Sequence, residues 1–101
     1  DANFIHAANM TEYEKVEIYN VTNGERFSTY LIAAEAGSKT VSINGAAAHK
    51  ASPEDIIIIC SYLSMHEDQM LNHKPTLVYF DETNEIVDIK SSIPTQRIRS
   101  L

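Results

Sequence analysis

Asn20-Val21-Thr22-Asn23-Gly24-Glu25-Arg26-Phe27-Ser28-Thr29-Tyr30 reads as the end of one strand, a tight turn and the start of the next strand. Asn-Gly between alternating apolar residues is the strongest short-range hairpin signal, because both residues accept the positive φ of a type I′ turn. The segment Lys15 to Val21 alternates before it, with Val16 and Ile18 on one face and Tyr19 and Val21 on the other. The following strand, expected from Arg26 to Ala34, carries Arg26, Ser28 and Tyr30 on one face and Phe27, Thr29 and Leu31 on the other. An arginine and a tyrosine on one face suit a polar site, and equally the solvated side of a half-exposed antiparallel pair.

Upstream, Asp1 to Met10 suits a short helix capped by Asp1 and closed by Asn9, with Phe4, Ile5, Ala7 and Ala8 as its apolar stripe and His6 outside. Downstream, Glu35-Ala36-Gly37-Ser38 reads as a turn and Thr40 to Asn44 as a strand. Gly45 to Lys50 reads as one helical turn or a close-packed loop, and Asp55 to Tyr62 as a β-branched strand. Ser64-Met65-His66-Glu67 fits a capping box, predicting a helix from about Met65 to Asn72. His66 and His73 would then sit two turns apart on one face, which suits surface histidines better than a shared metal. Thr76 to Phe80 and Glu85 to Ile89 flank the turn Asp81-Glu82-Thr83-Asn84. The segment from Lys90 to Leu101 is a polar, mobile tail with three of the eight basic residues. Six short strands and two or three helical turns make a single mainly β domain, a β-rich barrel, the expected architecture.

At 101 residues the chain can bury a core without disulfides or metals. Its 14 acidic and 8 basic residues leave a formal charge of −6, which argues against non-specific nucleic-acid binding. The longest apolar run, Ile56 to Cys60, falls far short of the ~20 residues of a membrane span. A soluble, cytoplasmic protein is the expectation. Asp1 is not an initiator methionine, which implies that something upstream has been removed or left out. The single cysteine, Cys60, follows four isoleucines and reads as a small buried hydrophobe rather than a nucleophile.

Most ready-made active sites are missing: there is no CxxC, HExxH, P-loop or GxGxxG. Gly37-Ser38 has no second glycine after the serine, and His6 and His49 have no evident nucleophile beside them. The remaining oddity is Asn44-Gly45-Ala46-Ala47-Ala48-His49. Four small residues let a ligand, or a packed backbone, approach the amides of Gly45, Ala46 and Ala47. A helical turn opening there would favour an anion, and the Asn44 amide can polarise a carbonyl. With Arg26 and Tyr30, these groups suit a small anionic substrate and a tyrosine acid.

At these two stretches, and at Ala33-Ala34-Glu35 with Gly37-Ser38, the chain resembles the aspartate 1-decarboxylase family of pyruvoyl-dependent enzymes. Ser42-Ile43 leads into the second stretch, the strand from Asp55 follows in register, and the similarity runs from Asp1 to about Ile86. The resemblance implies a double-psi β-barrel with short flanking helices, assembled as a homotetramer with sites between subunits. It implies a zymogen that cuts itself at a Gly-Ser bond, the serine becoming a pyruvoyl group. By register that serine lies a few residues before Asp1, so this chain corresponds to the larger processed chain without its first residues, partnered by a smaller N-terminal chain. The implied reaction is decarboxylation of L-aspartate to β-alanine through a Schiff base, feeding pantothenate synthesis, with no metal. Arg26 matches the residue that holds a substrate carboxylate, and Tyr30 matches the proton donor; phenols ordinarily titrate near ~10 and are protonated at neutral pH. Gly45, Ala46 and Ala47 match backbone contacts to substrate, while Thr29 and Asn44 match residues tied to self-cleavage and carbonyl polarisation.

Three departures stand out. Tyr19 takes the place of a tryptophan common in the family, Pro53-Glu54 replaces a residue-plus-glycine before Asp55, and Lys50 follows His49 at a variable position. Two rival readings share the scaffold: a non-catalytic double-psi barrel binding module, and a decarboxylase of another small amino acid.

Overall fold

A computed structural model describes residues 1–97; of the mobile tail expected from Lys90 to Leu101, Lys90 closes a strand and the stretch 98–101 lies outside the described residues. The described chain is mainly strand with a few short helices, and it forms two compact units, residues 1–64 and a second from Met65 onward.

In the first unit the helix α1 (Ala2–Ala7) starts at Asp1, whose carboxylate accepts the Asn3 amide at 2.7 Å. Asn9, at φ 58°, takes the left-handed conformation just past its end. Three strands follow: β1 (Lys15–Asn20), β2 (Arg26–Tyr30) and β3 (Ile57–Cys60), in the antiparallel order β2-β1-β3. As the alternation predicts, Val16 and Ile18 point to one side and are buried.

The turn differs from a two-residue type I′ hairpin. Five residues, Val21 to Glu25, separate the strands, and of Asn23 and Gly24 only Gly24 has positive φ, at 79°. The organiser is Asn20, 2% exposed, whose side-chain oxygen accepts the amides of Thr22 (3.0 Å) and Asn23 (3.2 Å). An asparagine that mimics a backbone turn in this way makes the primed turn unnecessary. Its amide nitrogen donates to the Lys50 carbonyl and to Asp55, fastening the hairpin to the segment before β3. The strand expected to reach Ala34 stops at Tyr30, although the Leu31 amide still reaches the Glu14 carbonyl.

Thr40 to Asn44 makes no ladder. The hydrogen bonds around its start go to Asp1: the Lys39 and Gly37 amides donate to the Asp1 carboxylate, and the Asp1 nitrogen donates to the Thr40 carbonyl. Gly45–Lys50 forms a 3₁₀ helix that contacts β2. The strand expected from Asp55 to Tyr62 is confined to β3.

The second unit has a one-turn helix, α2 (Glu67–Met70), and a hairpin of β4 (Leu77–Phe80) and β5 (Ile86–Lys90). The helix begins at His66 without a side-chain cap, so the Ser64 capping box does not form, and His73 lies beyond its end. The hairpin turn is held by Asp81, whose Oδ1 accepts from Thr83 and Glu85. Among the described residues, five strands in two sheets thus replace the six expected.

Candidate active site

Antiparallel registry decides which side chains share a face, because residues directly opposite one another point the same way. Arg26, Tyr19 and Ile58 form one row across β2, β1 and β3. Ser28, Glu17 and Cys60 form the next, and Tyr30 pairs with Lys15 beyond it. Arg26 and Tyr30 therefore stand on one open face, two rows apart, and Tyr30 is 58% exposed. Thr29 pairs with Val16 and belongs to the opposite, half-buried face.

Arg26 lies over the Tyr19 ring at 4.8 Å from the centroid, a cation–π contact. It makes no ion pair among the described residues. Glu25, its neighbour, is taken by Lys50 at 3.0 Å, and Glu17 accepts the Ser28 hydroxyl at 2.6 Å. An open depression of about 310 Å³ lies here, lined by Tyr19, Asn20, Val21, Gly24, Glu25, Arg26 and Ile58.

The Tyr19 hydroxyl meets the Tyr62 hydroxyl at 2.6 Å. That bond holds the Tyr19 phenol above its ordinary titration range, desolvation adding to the effect and Arg26 opposing it. Below the hairpin, the Asn20 amide and the Ser52 amide hold the Asp55 carboxyl below its usual range. Burial pushes the Cys60 thiol up, which disfavours a thiolate and fits a packing role.

The small-residue segment opens with Gly45 at φ 65°, a backbone conformation that favours glycine. A Cβ there would meet nothing within 4 Å, so no crossover packs against it in this chain. Ala46 is exposed and Ala47 half-buried. Asn44 precedes the 3₁₀ helix without a side-chain bond to its backbone; its Oδ1 accepts the Ser42 hydroxyl at 3.0 Å, and its Nδ2 has no partner among the described residues. These amides sit on a segment touching β2, the strand that carries Arg26 and Tyr30.

Tyr62 and Glu17 join this face without having been singled out by sequence, whereas alternation had already placed Ser28 on it. The one available signal was parity, since Tyr62 stands an even number of residues from Ile58 and Cys60. Among the described residues, no three His, Cys, Asp or Glu are grouped to hold a metal ion, and no helix is long and apolar enough to cross a membrane.

Comparison with known proteins supplies what geometry cannot. A relative from Tolumonas auensis is 54% identical over 96 residues, spanning 95% of this chain and 76% of its own length. Relatives from Hydrogenovibrio crunogenus and Alcanivorax borkumensis are 50% and 49% identical over the same 96-residue length, covering 74% and 76% of themselves. All three are named aspartate 1-decarboxylase. The family model for aspartate decarboxylase matches residues 1–87, all of the first unit and most of the second, and the chain belongs to that family.

Proposed function

We propose that the chain decarboxylates L-aspartate to β-alanine and carbon dioxide, supplying pantothenate synthesis in the cytoplasm. The match to the family over residues 1–87 carries this reading. The scaffold would be a single double-psi β-barrel domain over residues 1–101, those after about 89 forming its tail. The working unit would be a homotetramer of this chain with a smaller N-terminal chain.

Loss of carbon dioxide from an amino acid needs an electron sink, and no side chain is one. A pyruvoyl group derived from a serine upstream of Asp1 supplies that chemistry when present. The donor set suits a carbonyl group, because the Asn44 Nδ2 is unspent among the described residues and can donate to a carbonyl oxygen. Arg26, stacked but not ion-paired, offers a planar fork to a substrate carboxylate. Tyr30, exposed on the same face, offers a phenolic proton to the carbon left by carbon dioxide. Gly45, Ala46 and Ala47 present backbone amides where side chains are smallest. Thr29, on the opposite face, would act in self-cleavage and binding through the backbone of β2 rather than from the Arg26 side.

The test is the intact mass of protein made from the full-length gene, before and after borohydride with L-aspartate. Two chains, the larger gaining the mass of a reduced amino-acid adduct, are expected. A single uncut chain that gains nothing would favour the binding module. Equal turnover of L-glutamate and L-aspartate would move the assignment to a broader amino-acid decarboxylase.

A further inference from the structure

Tyr62 lies just past the end of β3, two residues beyond Cys60, and is 74% exposed. A tyrosine so open to water has no packing reason to hold one orientation. Yet its hydroxyl meets that of Tyr19 at 2.6 Å, across 43 residues of sequence. Tyr19 stands directly opposite Arg26 in the ladder and carries the guanidinium on its ring. The three side chains make a chain of contacts from the end of β3, through β1, to β2.

We propose that Tyr62 is a positioning residue for Arg26, fixing the Tyr19 ring through the paired hydroxyls so that the guanidinium is held ready for a substrate carboxylate. This deepens the decarboxylase reading and rests on it for the identity of the substrate. The physical need is plain. An exposed arginine has many rotamers, and ordering them on binding weakens affinity. Nearby carboxylates do not do the ordering, since Glu25 is engaged by Lys50 and Glu17 by Ser28. The ring is what holds the cation, and the ring is steady only if its far end is tethered. The tether keeps the guanidinium edge free for a carboxylate, which an ion pair would not.

The test uses the processed protein and the variants Tyr62→Phe, Tyr19→Phe and the double variant, each of which keeps both rings. Succinate, a dicarboxylate without an amine, reports carboxylate binding by calorimetry whether or not turnover occurs. Loss of one hydrogen bond should weaken succinate by roughly three- to tenfold in Tyr62→Phe, and raise KM for L-aspartate alike. The turnover number should stay within about twofold, because ground-state and transition-state binding are affected equally. The double variant should bind no worse than either single one, since one bond joins the two hydroxyls. The ultraviolet titration of Tyr19 should fall back toward the ordinary range in Tyr62→Phe. Unchanged succinate affinity in Tyr62→Phe, or losses that multiply in the double variant, would overturn the proposal. A wild-type protein that binds succinate but leaves aspartate intact would instead sink the decarboxylase reading alone.

Discussion

Arg26 and Tyr30 share a face but not a task, and substitution should separate them. Arg26→Ala removes a charge-assisted contact to the carboxylate, so KM for L-aspartate should rise by roughly 10- to 100-fold in steady-state assays. An unchanged KM would take Arg26 out of binding. Tyr30→Phe keeps the ring and loses the proton, so self-cleavage should proceed while turnover drops by about 10²-fold or more. Turnover at the wild-type rate would remove Tyr30 from the chemistry. Asn20 acts on stability instead. It is buried and its side chain makes four hydrogen bonds, to Thr22, Asn23, Lys50 and Asp55. Asn20→Ala leaves these groups short of partners and should cost about 2–4 kcal/mol in urea unfolding. The same bond depresses the Asp55 pKa in the folded state, so its stabilisation is present above the unfolded carboxylate value and is lost as pH falls through the folded one. In Asn20→Ala the Asp55 titration, followed by NMR, should move up and the acid limb of stability should flatten. No upward movement would mean that the Ser52 amide alone holds the carboxylate.

Among the elements, five of the six expected strands were legible, while the strand expected at Thr40 to Asn44, several strand ends and the connections were not. The faces of β1 and β2 follow from alternation, and Val16, Ile18, Arg26, Ser28 and Tyr30 stand where periodicity puts them. The second hairpin was legible from the turn Asp81-Glu82-Thr83-Asn84 between two strand segments. The 20–25 turn was misread because a buried Asn20 side chain replaces the backbone geometry that Asn23-Gly24 suggests, and no local pattern announces that burial. Thr40 to Asn44 has strand composition, but its start is tied to Asp1, 39 residues away in sequence, which a local reading cannot see. The candidate site divides likewise: Arg26, Tyr30 and the Asn44 segment carry sequence signals, whereas Tyr62 enters only through the registry of β3. Glu54 sits at φ 76°, in the left-handed region, at the position where the family resemblance places glycine. Glu54→Gly should relieve that backbone strain and stabilise the protein by about 0.5–1 kcal/mol, read as a raised midpoint of thermal or urea unfolding. A lowered midpoint would show that the Glu54 side chain contributes more than its backbone conformation costs.

For the molecule as a whole, what is exposed is as informative as what is buried. Ile56, Tyr62, Leu63, Leu71, Val87 and Ile93 are large apolar side chains, each more than half exposed, and Leu71 is 90% exposed. Monomers rarely leave so much apolar surface in water, which supports the proposed assembly. If association covers it, folding is linked to protein concentration, and the melting temperature should rise with concentration and fall on dilution. A melting temperature independent of concentration, with a monomeric sedimentation coefficient, would count against the tetramer. The composition of the interior has a last consequence. Only four described residues are buried, and two of them, Asp1 and Asn20, are polar. A deep mutational scan of this chain should not show the usual map in which intolerance tracks hydrophobic positions. Its most sensitive sites should include two hydrogen-bond hubs, at which even volume-preserving replacements such as Asn20→Leu or Asp1→Leu are poorly accepted.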